Sequence, residues 1–263
     1  MISNTCSFGR MNSVKDDVKP EKRKDMEEII MRLSKELVRD YSPVQRQHMQ
    51  MSCVLNELMD AAEKSVTVNL TQKVVEDMKK AGYGLCIAKK VGDTFNVIWN
   101  SLDDFATYTN FSWVPLYQVY ATNTFQDKVK VKVRTEAQKI GLNETCELDK
   151  YYNMKPAHSG GSLTALTVDD NYEKASYLGV SQMIRDENGN LTSLPIYVSE
   201  NPVYSGTIEL TPVEQVMVWF QQNAETSTMF SKAVTKNVVL DLTDFNSYEI
   251  TYDGKEWMIT GKE

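Results

Sequence analysis

Catalysis needs nucleophiles, carboxylates or imidazoles brought together, and this sequence offers few. The most suggestive short run is His158-Ser159-Gly160-Gly161-Ser162. Its glycines could present backbone N–H groups to an anion, and a serine beside a histidine has the parts of a nucleophile and its base. The spacing matches no nucleophile elbow and no strand-to-helix turn follows, so the run reads as a loop. Asp103-Asp104 and Asp169-Asp170 could hold a metal or form an acid–base pair, but adjacent acids also serve local turns. With only His48 and His158, a histidine-based metal centre is not expected. Cys6, Cys53, Cys86 and Cys146 are too scattered for a CxxC site and read as core or surface thiols. Phosphate-cradling glycine motifs are absent. No catalytic residue, metal or cofactor is assigned, and whether the chain is an enzyme stays open.

The more informative segment is Phe105–Tyr120, FATYTNFSWVPLYQVY. It holds Phe105, Tyr108, Phe111, Trp113, Tyr117 and Tyr120, with Thr107, Thr109, Asn110 and Ser112 interleaved. Amphipathic rings of this kind stack on sugar faces, cage cationic headgroups or sit at a lipid boundary. Tyr108, Trp113, Tyr117 and Tyr120 are therefore the candidate ligand-binding residues. The competing reading makes the same rings core residues of a strand and its entry loop.

The elements that would position them divide at Gly82. Residues 1–24 read as a flexible tail, 25–82 as a helical region and 83–263 as a β domain. Met26, Ile29, Ile30, Leu33, Leu37, Val38 and Tyr41 recur at helical spacing, and Ser42-Pro43 opens a second helix running to about Ala62. Thr71 can cap a third helix carrying Val74, Val75 and Met78, with Gly82 ending it. Beyond Gly82 the apolar period becomes two. Leu85–Val91 and Thr94–Trp99 read as a hairpin around Gly92-Asp93, and Leu116–Thr122 as a strand. KVKVKVR at Lys128–Arg134 reads as a strand with one wet face. Leu178–Arg185 and Leu191–Val198 form a hairpin around Asn188-Gly189. Val238–Leu242, Tyr248–Tyr252 and Glu256–Ile259 follow, the last two joined by Asp253-Gly254.

One helix is expected inside the β part. Thr211-Pro212-Val213-Glu214 has the form of a capping box, and Val213, Val216, Met217 and Phe220 form a stripe. The expected fold class is α+β, with N-terminal helices followed by an antiparallel β-sandwich or partly open barrel with a short helix at 212–222.

Composition narrows the functions. Hydrophobic residues at 41% and charged residues at 25% allow a sizeable core in 263 residues. A net charge of −7 disfavours nucleic acid and charge-driven binding to anionic lipid. No apolar run reaches the roughly 18 residues a spanning helix needs. The first residues lack a secretory apolar core, so the expectation is a soluble protein, cytoplasmic or secreted without a classical signal peptide. The Asn-x-Ser/Thr sequons at Asn69, Asn110, Asn143 and Asn190 then read as chance.

FSWVPLYQVYATNTFQDKVKVKV and IGLNETCELD resemble the sheet-building part of small microbial β-sandwich proteins of the actinoporin-like and aegerolysin-like cytolysin type. The resemblance spans about residues 95–150 and the last 50. It implies a sandwich whose exposed aromatics bind membrane lipid. Three expected helices before the sandwich, in place of one, depart from the actinoporin pattern. The leading expectation is a non-enzymatic, lectin-like or toxin-like protein that recognises a membrane lipid headgroup or a glycan. Two others stand beside it: a small enzyme or small-molecule binder with a pocket between the sheet and helix 212–222, and an assembly protein whose helical arm supports a homo-oligomer.

Overall fold

The computed structural model describes residues 63–263 apart from Glu187, Lys232, Ala233 and Thr235. The expected tail and the helices expected between 25 and 62 lie outside the described residues, as do Cys6, His48 and Cys53.

The described chain opens on a strand, β1 (Lys64–Leu70), in which Val66 and Val68 are fully buried. A single helix follows, α1 (Gln72–Lys80). The Thr71 hydroxyl accepts from the Val74 N–H at 3.3 Å, Val74 and Val75 face inward, and Lys79 and Lys80 sit at the negative end. Gly82 has the positive φ of 73° that suits the residue after a helix. Thirteen further strands are β2 (Tyr83–Val91), β3 (Asn100–Leu102), β4 (Tyr108–Thr122), β5 (Gln138–Ile140), β6 (Glu144–Leu148), β7 (His158–Ser159), β8 (Leu166–Asp170), β9 (Tyr177–Arg185), β10 (Leu191–Val198), β11 (Gly206–Leu210), β12 (Pro212–Gln222), β13 (Asn237–Asp241) and β14 (Ser247–Tyr252). The last strand is β15 (Trp257–Lys262).

They form three sheets. The large sheet runs β10-β9-β4-β1-β14-β15 with β5 beside β4. A second runs β13-β12-β2-β3, and a third β11-β8-β6-β7. Most pairings are antiparallel, but β1 with β14 and β6 with β8 are parallel. The expectation of a purely antiparallel fold is thus corrected to mixed sheets. One apolar cluster draws on all three sheets, with Val66, Ile87, Trp113, Leu166 and Val218 among its members.

Three other expectations change. Residues 212–222 are not a helix. They are β12, paired to β2 on one side and β13 on the other. Val216 and Val218 face the main core, while Met217 and Trp219 face a second cluster with Cys86 and Ala88. A strand buried on both faces reads as a continuous apolar run, which helix and strand share. The β unit begins at Glu63, not after Gly82. β1 is an interior strand of the large sheet, and its Val66-Val68-Leu70 alternation already has period two. Finally, Lys128–Arg134 is no sheet strand. It is an extended strap making one bridge, Lys130 to Thr228, with Val129 and Val131 packed inward on a small cluster around Tyr120 and Met229.

Two of the three expected hairpins hold, β9–β10 and β14–β15, while Thr94–Trp99 is corrected from a strand to a segment that pairs with β2 through one bridge, Val91 to Thr94. Gly92, Gly189 and Gly254 all turn with positive φ at the expected places. The arm after Gly92-Asp93 peels away after Thr94, where Ile98 and Asn96 bond instead to Thr228 and Phe230. It rejoins β2 at Trp99, whose N–H donates to the Ile87 carbonyl at 2.9 Å, and continues as β3.

Candidate functional site

β4 carries all four candidate ligand-binding residues, and its pleat separates them. Successive strand residues face opposite sides, so Thr109, Phe111 and Trp113 point inward while Tyr108, 64% exposed, points out. Trp113 is buried and packs edge-on against Trp99 with ring centroids 5.5 Å apart. Tyr117 is half-buried and donates to Glu214 Oε1 at 3.3 Å. Tyr120 is fully buried, and its hydroxyl donates to the Tyr197 carbonyl at 3.1 Å. Its ring lies over Gly179, the residue directly opposite on β9, where a Cβ would stand 2.2 Å from the ring. The structure does not bring these four rings onto one surface. Three of them perform packing roles.

The other short-range candidates are also accounted for locally. His158-Ser159 forms the exposed edge strand β7, and a Cβ on Gly161 would stand 2.1 Å from the Glu144 carbonyl oxygen. Close backbone approach, rather than an oxyanion cradle, explains that glycine. Asp169 accepts from the Thr207 hydroxyl at 2.7 Å, and Asp170 accepts from Ser176 at 2.7 Å. As neighbours on β8 they face opposite sides and cannot converge on one ion. Asp104 is exposed and pairs with Lys79. No group of three metal-ligating side chains exists among the described residues.

What the sequence reading passed over lies between the large sheet and the β12 sheet. Lys89 on β2 is fully buried, and its ammonium sits 2.7 Å from Glu214 Oε2 on β12 and 5.6 Å from the Trp113 ring centre. Burial pulls the Lys89 pKa down, and the Glu214 charge opposes that shift. Burial first, and then the same carboxylate, pushes the Tyr117 phenol up. Two bulges aim these groups at each other. Trp113 stands opposite Ile184 and Tyr117 opposite Gln182, so β4 spends two extra residues there, and Pro115 occupies them without losing a ladder bond. Likewise Pro212 stands opposite Val91 and Val216 opposite Lys89, which places Glu214 in a bulge of β12.

An open cleft of about 300 Å³ is lined by β3 of the β12 sheet and by β4, β9, β10 and the β9–β10 turn of the large sheet. Its apolar floor is Leu102, Phe111, Ile184 and Leu194. Asn100, Asn110, Asn188, Thr192, Asp186 and Arg185 complete the lining. Within it the Asn100 and Asn110 amide oxygens accept from the Thr226 and Thr67 hydroxyls, and the Asp186 carboxylate accepts from the Asn188 and Asn190 N–H groups. The Arg185 guanidinium is held by a two-point pair to Glu63, at 2.7 and 3.0 Å. Trp99 Nε1, Trp113 Nε1 and Gln182 Oε1 belong to neighbours of the lining residues and are buried without a hydrogen-bond partner among the described residues. Ile184 is the cross-strand neighbour of Trp113, Leu194 that of Gln182, and Asn100 follows Trp99 in sequence. Such unmatched buried groups each cost about 1–3 kcal/mol.

No known relative helps to assign this cleft. Neither a family model, nor a curated protein, nor a solved structure matches the chain. Cleft residues such as Asn100, Asn110 and Thr192 carry no sequence signal, because isolated amides and hydroxyls occur on every surface. Lys89 and Glu214 do carry one. Lys89 shares its strand face with Leu85, Ile87 and Val91, and Glu214 shares its face with Val216 and Val218.

Proposed function

We propose that the protein is a non-enzymatic binding protein that takes a glycan into the cleft between the large sheet and the β12 sheet. In this proposal those two sheets form a sandwich and the cleft is its open end. The observation that carries it is the lining. Amides, a hydroxyl, a carboxylate and a guanidinium surround a small apolar floor, which is the chemistry that holds the hydroxyls and the apolar ring face of a sugar. No nucleophile with an adjacent base stands among these residues. The lipid-headgroup alternative loses its main support because Trp113 and Tyr120 are core residues and Tyr108 stands apart from them.

The test is a glycan array, followed by calorimetric titration of any hit against wild type and Asn100→Leu plus Asn110→Leu. These substitutions keep side-chain bulk and remove hydrogen bonding at opposite walls. The expected result is a saturable glycan ligand whose affinity falls about tenfold or more, since each lost hydrogen bond is worth about 0.5–1.5 kcal/mol. An array without hits, together with binding to phosphatidylcholine vesicles, would overturn it in favour of a membrane surface.

A further inference from the structure

The strap that replaces the expected strand carries a feature that the overall charge conceals. Lys128, Lys130, Lys132 and Arg134 are all exposed, and the valines between them, Val129 and Val131, face inward. Lys128 has a positive φ of 61° and makes the turn into the strap. Exposure alternates from Lys128 to Lys132 as in an extended chain, which sets those successive cations roughly 6–7 Å apart at about 3.3 Å per residue, and Arg134 follows after the exposed Val133. The strap is fixed to the body by backbone bonds. The Lys128 N–H donates to Met229, the Val131 N–H to Ser227 and the Arg134 N–H to Ala121, while the Thr122 hydroxyl donates to the Lys132 carbonyl. None of the four cations has a carboxylate within ion-pair distance among the described residues, whereas Lys79, Lys89, Lys155 and Arg185 each have one.

We propose that this strap is a binding ridge for a linear sulfated polysaccharide. A line of evenly spaced, pre-ordered cations matches a linear polyanion, because neutralising several of its charges releases counterions without reordering the protein. The geometry fits other polyanions less well. The residues between the cations are valines, so no aromatic platform is present for nucleic-acid bases. Val133, 42% exposed, is the one apolar side chain presented along the strap, which is too little to anchor a membrane surface. A net charge of −7 also opposes any purely non-specific attraction to polyanions, so retention requires a local site. The ridge is separate from the cleft, and this proposal does not depend on the cleft's ligand.

The probe is heparin, used with the full chain in affinity chromatography and in titrations at several salt concentrations. Lys130→Glu plus Lys132→Glu is compared with Lys73→Glu plus Lys80→Glu, which makes the same change in net charge on exposed positions of α1. The ridge variant should lose heparin affinity by about tenfold or more and show a shallower salt dependence, and the α1 variant should keep most of its affinity. Thermal unfolding checks that both variants fold, and Lys130→Gln plus Lys132→Gln replaces the reversal if it does not. Three results would overturn the proposal: wild type passing through heparin unretained at low salt, equal losses in both variants, or equal or tighter binding to phosphatidylserine vesicles or duplex DNA. The first would mean that the ridge is only a solvated face.

Discussion

Residues 71–80 and residues 211–222 both begin with a threonine that could cap a helix, and only the first segment becomes one. In α1 the apolar residues are few, Val74, Val75 and Met78, and the rest of the helix is polar. One narrow stripe needs one covering surface, and a capped nine-residue helix supplies it. In β12 the run Val216-Met217-Val218-Trp219-Phe220 is apolar on every side. It is also β-branched and aromatic, which favours a pleated chain between two partners. β2 and β13 provide those partners, and both faces find a core. The difference lies in how many sides of a segment must be covered, and a cap worth about 1 kcal/mol does not override that.

The comparison can be broken most sharply at Glu214. In a helical capping box this side chain would serve one backbone N–H, and its loss would cost about 1 kcal/mol. In β12 it neutralises the buried ammonium of Lys89. Glu214→Ala should therefore destabilise by about 3–5 kcal/mol in urea unfolding, because it strands a charge without a partner. Adding Lys89→Met to Glu214→Leu should recover most of that loss.

A smaller effect separates the two threonines. Thr71→Ala should cost about 1 kcal/mol, since its hydroxyl accepts from the Val74 N–H. Acid should then report on the pairing of β12 with β13. Asp241, on β13, accepts from the Thr243 N–H at 2.9 Å and from the Gln215 amide on β12 at 2.9 Å. The bonds from Thr243, and then that from Gln215, hold its pKa down to about 2. A depressed carboxylate stabilises above its unfolded value and loses that contribution as pH falls through the folded value. Thermal midpoints should accordingly fall between about pH 4 and pH 2. Asp241→Asn should flatten part of that slope. Least of all, Thr211→Ala should change stability by under about 0.5 kcal/mol, because Thr211 is exposed and caps nothing.

Much of this molecule is legible at the level of local pattern. The Thr71 cap, the three glycine turns and the hairpin β9–β10 follow from residue types whose conformational preferences act over a few positions. β1 was equally legible, since Val66, Val68 and Leu70 alternate, but the neighbouring helical spacing concealed it. Residues 212–222 carry apolar positions that fit both a helical period and a period of two. At period two, Lys89 and Glu214 both fall on core-facing positions, and a buried pair between strands is the natural outcome. The aromatic segment misled for a related reason. Its rings do occur within 16 residues, but strand pleating and the bulge at Pro115 send them to different surroundings. The cleft was not legible at all. Its walls come from β3, β4, β9, β10 and the β9–β10 turn, and only tertiary packing brings those residues together.

The most direct test of the functional claim is amide chemical-shift mapping of the full chain titrated with its best glycan-array hit. The account predicts saturable shifts at Asn100, Asn110, Arg185, Asn188 and Thr192, with the indole N–H signals of Trp99 and Trp113 moving alongside. Saturable shifts confined to residues away from the cleft, or none at any glycan concentration, would contradict it.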